Sequence, residues 1–152
     1  MVSKIRTNRM TDMKNFSSDK KKGKTSYQFN HNLLAISLII MAFIGTTYFL
    51  IDERSEFFEL FWIVVLSIWY AWLIASLFFI FSRKKIGYLF GGIISWATLG
   101  FLLLDNFHIV FNISVIASQP SLEITMKNFV GIIITGLAVF SAHNSFHKIK
   151  TS

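Results

Sequence analysis

The sequence predicts an all-alpha membrane protein, a four-transmembrane-helix bundle with both termini cytoplasmic. Three observations carry that prediction. Four apolar stretches, at about 33–51, 58–81, 86–104 and 129–146, recur along the 152 residues; each matches a crossing, because roughly 30 Å of hydrocarbon needs about 20 residues at about 1.5 Å rise each. The composition is 53% hydrophobic and 15% charged, too little polar material to cover an ordinary soluble globule. The charges are also segregated, so the formal net charge of +7 is a sum over two membrane faces rather than a nucleic-acid footprint.

Residues 1–31 form the first region. They carry Lys4, Arg6, Arg9, Lys14, Lys20, Lys21, Lys22 and Lys24 against Asp12 and Asp19. With few apolar residues and no helical periodicity, they are expected to be a largely disordered basic cytoplasmic tail. Lys20, Lys21, Lys22 and Lys24 adjoin the first span, where each near-surface cation attracts anionic lipid by about 1 kcal/mol. A secretory signal is the rival reading. The run that follows is longer than a signal core, and DERSEFFE offers no small-residue cleavage pattern, so an uncleaved span is favoured.

Residues 32–147 then form the transmembrane domain. Its first span, LLAISLIIMAFIGTTYFLI, holds no charge. The second, FFELFWIVVLSIWYAWLIASLFFIF, exceeds the required length and allows tilt. Trp62 suits a rim, whereas Trp69, Tyr70 and Trp72 fall near mid-span and are expected to pack against neighbouring helices. The third span follows SRKK at once, so spans two and three must be antiparallel neighbours, and Arg83, Lys84 and Lys85 meet the same lipid surface as the tail.

Small residues recur on three spans: Ser67, Ala71 and Ala75; Gly87, Gly91 and Ser95; Gly131, Thr135, Ala138 and Ala142. They are read as helix-packing stripes, because small side chains let backbones approach closely where water cannot drive association. Residues 105–128 form the one long outer loop. Phe107, Ile109, Val110, Phe111, Ile113 and Ile116 suit a segment lying in the interface, and Pro120 stops any helix begun there. Asn112, Ile113 and Ser114 match the common glycan acceptor pattern. Residues 148–152 close the chain as a second cytoplasmic tail.

Orientation follows from the cations. Placing the tail, the hairpin and the C-terminus on one side gathers thirteen of the fifteen basic residues there, leaving Arg54 and Lys127 opposite. This positive-inside bias puts both termini in the cytoplasm, and four crossings demand the same parity.

The chemistry available is sparse. Cys is absent, which removes disulfides and thiolate nucleophiles. No phosphate loop, dinucleotide fingerprint, zincin motif, nucleophile elbow or EF-hand loop occurs. His143 and His147 stand four apart on one helix face, a weak metal candidate without an acidic partner beside it; no metal or cofactor is predicted. Asp105 falls at the outer edge of span three, where solvent exposure is expected. With His108, Asp52 and Glu56 it would form an outer-mouth site for a cation or a basic peptide.

These features predict a small non-enzymatic integral membrane protein, an accessory, regulatory or immunity-type subunit. It would act through helix packing and loop contacts with a membrane-protein partner or further copies of itself. The alternative is a small oligomeric transporter or lipid-binding membrane protein, with Tyr70, Trp72 and Trp96 lining its site. A membrane enzyme built around His143, Asn144 and His147 ranks third.

Overall fold

The computed structural model describes residues 27–47, 50, 59–111 and 121–148. They form α1 (Tyr27–Thr47), α2 (Glu59–Phe81), α3 (Lys85–Asp105), the five-residue α4 (Phe107–Phe111) and α5 (Leu122–Lys148). All but α4 are long and apolar enough to cross a membrane. The central element is α3, which packs along both α2 and α5, while α2 and α5 hardly touch. From α1, Leu34 and Leu38 reach the α2–α3 seam, within about 3.6 Å of where a side chain at Gly91 would begin.

Polarity is inverted relative to a water-soluble bundle. Among the described residues twelve buried side chains are polar or charged and twelve are hydrophobic, tyrosine included, while Leu60, Phe61, Ile74, Phe78 and Leu122 are each at least 60% exposed. An apolar exterior on this scale is stable only against an apolar solvent or a partner. Three interior hydroxyls are satisfied within their own helices: Ser76 donates to the Trp72 carbonyl at 2.7 Å, Ser95 to Gly91 at 2.6 Å and Thr135 to Gly131 at 2.8 Å. Such back-bonds make a hydroxyl tolerable away from water.

The α2–α3 hairpin is built to be short. Lys84 N–H donates to the Phe79 carbonyl at 2.9 Å and Arg83 N–H to Ile80 at 2.8 Å, with Arg83 itself at φ 55°. This pattern closes a helix on a left-handed residue, a position glycine ordinarily fills. Gly87 then lets α3 fold back directly: a β-carbon there would lie 2.5 Å from Ile80 N and 2.6 Å from the Phe79 carbonyl carbon. Backbone atoms cannot yield as a flexible side chain can.

Two helices start earlier than the sequence predicts. The described part of α1 already includes Tyr27, inside the expected disordered tail, and polar residues of its first turns, Tyr27 and His31, have partners within the bundle. α5 begins at Leu122 rather than near 129. Ser121 caps it by accepting from Ile124 N–H at 3.3 Å, and Lys127 pairs with Glu123 at 2.9 Å. Hydropathy alone ends a span at such polar turns. Lys20, Lys21, Lys22, Lys24, the Asn112–Ser114 acceptor and residues 149–152 lie outside the described residues.

The stripe read on α2 lies largely outside the bundle. Ser67 and Ala71 are exposed and Ala75 half-buried, whereas Leu73, Ser76 and Ile80 are buried. The smallness needed at its contacts comes from the opposite helices: Gly87 faces Phe79 and Ile80, and Gly45 of α1 faces the Trp69 ring. Gly87, Gly91 and Ser95 on α3, and Gly131, Thr135, Ala138 and Ala142 on α5, are buried.

Gly87→Ala is expected to destabilise the purified protein by about 1–3 kcal/mol through overpacking against backbone. Gly100→Ala, with nothing within 4 Å of the new carbon, should be neutral or stabilising by up to about 1 kcal/mol. Thermal unfolding in one detergent compares the two. Arg83→Gly relieves a left-handed conformation that costs roughly 1–2 kcal/mol for an L-residue, and in the same assay it should raise the midpoint.

Candidate functional site

The two ends of the bundle carry different polar clusters. At the hairpin end, where α1 starts and α5 finishes, the Tyr88 hydroxyl lies 2.7 Å from His31 Nδ1 and 2.8 Å from the Tyr27 hydroxyl. Tyr88 is 1% exposed and His31 7%. With a single O–H, Tyr88 donates to one neighbour at most and accepts from at least one of them. Asn30 and the hydroxyls of Ser141 and Ser145 are buried at the same end of their helices. Lys85 sits over the Phe146 ring at 4.5 Å, a cation–π contact that ties the start of α3 to the end of α5.

At the distal end, Asn128 is fully buried between α3 and α5. Its amide nitrogen donates to Asp105 Oδ2 at 2.8 Å and to Asn106 Oδ1 at 2.9 Å. Asn128 Oδ1 and Asn106 Nδ2 are buried with no hydrogen-bond partner. The expectation of a solvent-exposed Asp105 is therefore corrected: it is 4% exposed. The cause is the longer α5, whose second turn brings Asn128 over the carboxylate. Asp52, Glu56 and the side chain of His108 lie outside the described residues, so the proposed outer mouth is represented by Asp105 alone.

Next to this cluster lies an apolar cavity of about 260 Å³, walled by Met41, Trp62, Trp69, Phe101, Leu102 and Gly131 among others. It occupies the space that opens because α2 and α5 hardly touch. The two hydroxyls on its wall are already engaged: Thr98 donates to the Ile94 carbonyl at 2.8 Å and accepts from Trp69 Nε1 at 2.9 Å, and Thr135 donates to Gly131. The wall consequently presents hydrocarbon and ring surface.

Tyr70, Trp72 and Trp96 are not brought together. The Tyr70 hydroxyl donates to the Ala42 carbonyl at 2.9 Å and meets the Thr46 hydroxyl, both on α1. Trp72 Nε1 donates to the Phe90 carbonyl of α3 at 3.2 Å, and Trp96 is 63% exposed. None of the three lines the cavity. Tyr70 and Trp72 are instead fasteners from α2 to its two neighbours.

His143 and His147 are exposed, with ring centroids 4.5 Å apart. Among the described residues no three His, Asp or Glu side chains gather to hold a metal ion. Two imidazoles on one helix fall short of the three or four protein ligands that zinc sites use. The third-ranked enzyme reading thus gains no assembled centre from these residues.

Asn128 is the functional-type residue that sequence reasoning missed. It precedes Gly131, Thr135, Ala138 and Ala142 at helical spacing, so extending that stripe by one step places it on the buried face of α5. The expected 105–128 loop hid it. Comparison with protein-family models, curated proteins and solved structures finds no match to this chain.

Removing the shared hydroxyl at the hairpin end leaves His31 and Tyr27 each short of a partner. Tyr88→Phe is expected to cost about 1–3 kcal/mol. Tyr27→Phe, which removes one contact at a half-buried position, should cost less. Equilibrium unfolding of the two variants ranks them.

Proposed function

We propose that this is a non-enzymatic integral membrane protein that serves as an accessory subunit, docking a partner membrane protein on the open face of α2. The observation that carries this reading is the uneven burial of the spans. Only 17% of the most apolar stretch of α2 is buried inside the bundle, against 33% to 39% for the other three long helices. Its exposed side presents Ser67 and Ala71 beside Val64 and Ile68. In hydrocarbon, small residues four apart allow a second helix to approach closely and gain dispersion contacts that lipid chains supply less well. A helix of the partner is the occupant that this surface fits.

Membrane embedding is supported by the four long apolar helices and the inverted polarity. The described start of α1, the α2–α3 hairpin and the end of α5 share one end of the bundle, with Arg83, Lys84 and Lys85 among them. Together with the basic tail, this supports a cytoplasmic position for that end and for both termini, facing anionic lipid.

Ala71→Leu fills the stripe without touching the bundle interior. It is expected to reduce partner recovery at least tenfold after crosslinking in native membranes, while Ile133→Leu on the exposed side of α5 leaves recovery unchanged. Equal recovery from both variants would remove the α2 face from consideration. Crosslinks from Ser67 only to a second copy of the chain would replace the partner by a homo-oligomer.

A further inference from the structure

The apolar cavity has no role in the docking reading above, and fixed contacts hold it open. The Trp69 indole is fastened at both ends: Nε1 donates to Thr98 of α3 at 2.9 Å, and the ring's far edge lies against Gly45 of α1, where a β-carbon would sit 2.7 Å from two of its atoms. The Trp62 ring stands edge-on to Phe101, with 6.0 Å between centroids. Neither indole can swing inward without giving up these contacts. We propose that the cavity is a binding site for the end of a bilayer lipid's acyl chain, which enters between α2 and α3.

Lining, size and entrance all point to that occupant. An enclosed water needs about two to four polar partners, but the wall hydroxyls of Thr98 and Thr135 donate to carbonyls of their own helices and Trp69 Nε1 is spent on Thr98. Little remains to hold water or a polar head. The volume is about 260 Å³, against roughly 150 Å³ for an apolar void that admits benzene; in proportion it takes about ten carbons, part of a lipid chain. Val65 of α2 and Ala97 of α3 line the cavity and are also exposed, which puts its opening at the seam between those helices. Phe61 and Ile68, on the same side of α2 as Val65 by helical spacing, are each at least 60% exposed. The medium at the opening is therefore the bilayer's own hydrocarbon, and a chain arrives without crossing water. Moving from lipid into the cavity brings it no hydrophobic gain; dispersion contact with a fixed wall holds it. The headgroup stays outside, so the site selects a chain and no particular head. The proposal rests on the membrane embedding argued above and is independent of partner docking.

Trp62 and Trp69 line the cavity, whereas Trp72 and Trp96 do not, so the Trp72→Phe/Trp96→Phe protein reports on the cavity by fluorescence. The probe is phosphatidylcholine brominated near its chain ends, in vesicles that carry this protein, with unbrominated vesicles as reference. Strong quenching is expected. Ala97→Phe and Val65→Phe fill the cavity from opposite helices at exposed positions, and each should at least halve it. Equal quenching in the parent and in both filled proteins, at unchanged helix content by circular dichroism, means that chains touch only the outer rim of the bundle, and it overturns the proposal. Bromodecane added to unbrominated vesicles tests a free hydrocarbon: quenching by it that the filled proteins lose, with none from brominated lipid, overturns the lipid chain as occupant. Flotation of the protein with its vesicles registers a failure of membrane embedding separately, and loss of partner docking in Ala71→Leu has no bearing on this readout.

Discussion

Solvation by hydrocarbon is the constraint on which the rest of this structure depends. A polar group that leaves water without a partner costs several kcal/mol, and an apolar exterior offers no partner. Several of the described interior hydroxyls and amides therefore find partners inside the protein. Ser76, Ser95, Thr98 and Thr135 turn back to carbonyls one turn earlier, Trp69 reaches Thr98, and Tyr88 serves two neighbours. The buried Asn128 does the same for Asp105 and Asn106. The exceptions, Asn106 Nδ2, Asn128 Oδ1 and the Ser141 and Ser145 hydroxyls, are accordingly the most informative atoms in the bundle.

The same solvent removes the ordinary reason for helices to associate, since lipid is as apolar as leucine. Close approach replaces it. Gly87 brings α3 against the backbone of α2, Gly91 receives Leu34 and Leu38 from α1, and Gly131 receives Leu102 across the α3–α5 seam. Gly91 and Gly131 each face large side chains, so contact there is made by a large side chain entering a gap on its neighbour, whereas Gly87 meets backbone. That geometry explains why α2 turns Trp69, Leu73 and Ile80 inward and leaves Ser67 and Ala71 outside.

How much of this was legible in the sequence differs from one level to the next. The four long helices were readable because crossing length and hydropathy are properties of a stretch, insensitive to which neighbour it meets. The hairpin was readable from the shortness of SRKK. Helix starts were not, because Tyr27, His31 and Asn128 look like loop residues until the partners that satisfy them are known, and those partners lie 61, 57 and 23 residues away. Asp105 was misread for the same reason: its burial is decided by α5. Aromatic content does not encode direction: Tyr70 leaves its helix toward α1 and Trp72 toward α3, while Trp96 is 63% exposed.

The open face of α2 and the cavity have one structural origin. Successive residues on a helix turn by about 100°, so Trp62, Val65, Leu66 and Trp69 share the cavity side while Ser67 and Ala71 fall opposite. The hairpin end of α2 is held tightly at Gly87; toward its distal end, the Trp69 ring against Gly45 and the Trp62 ring edge-on to Phe101 hold it away from α5. A helix clamped at one end and propped at the other has an occupied side and a free side along the same stretch.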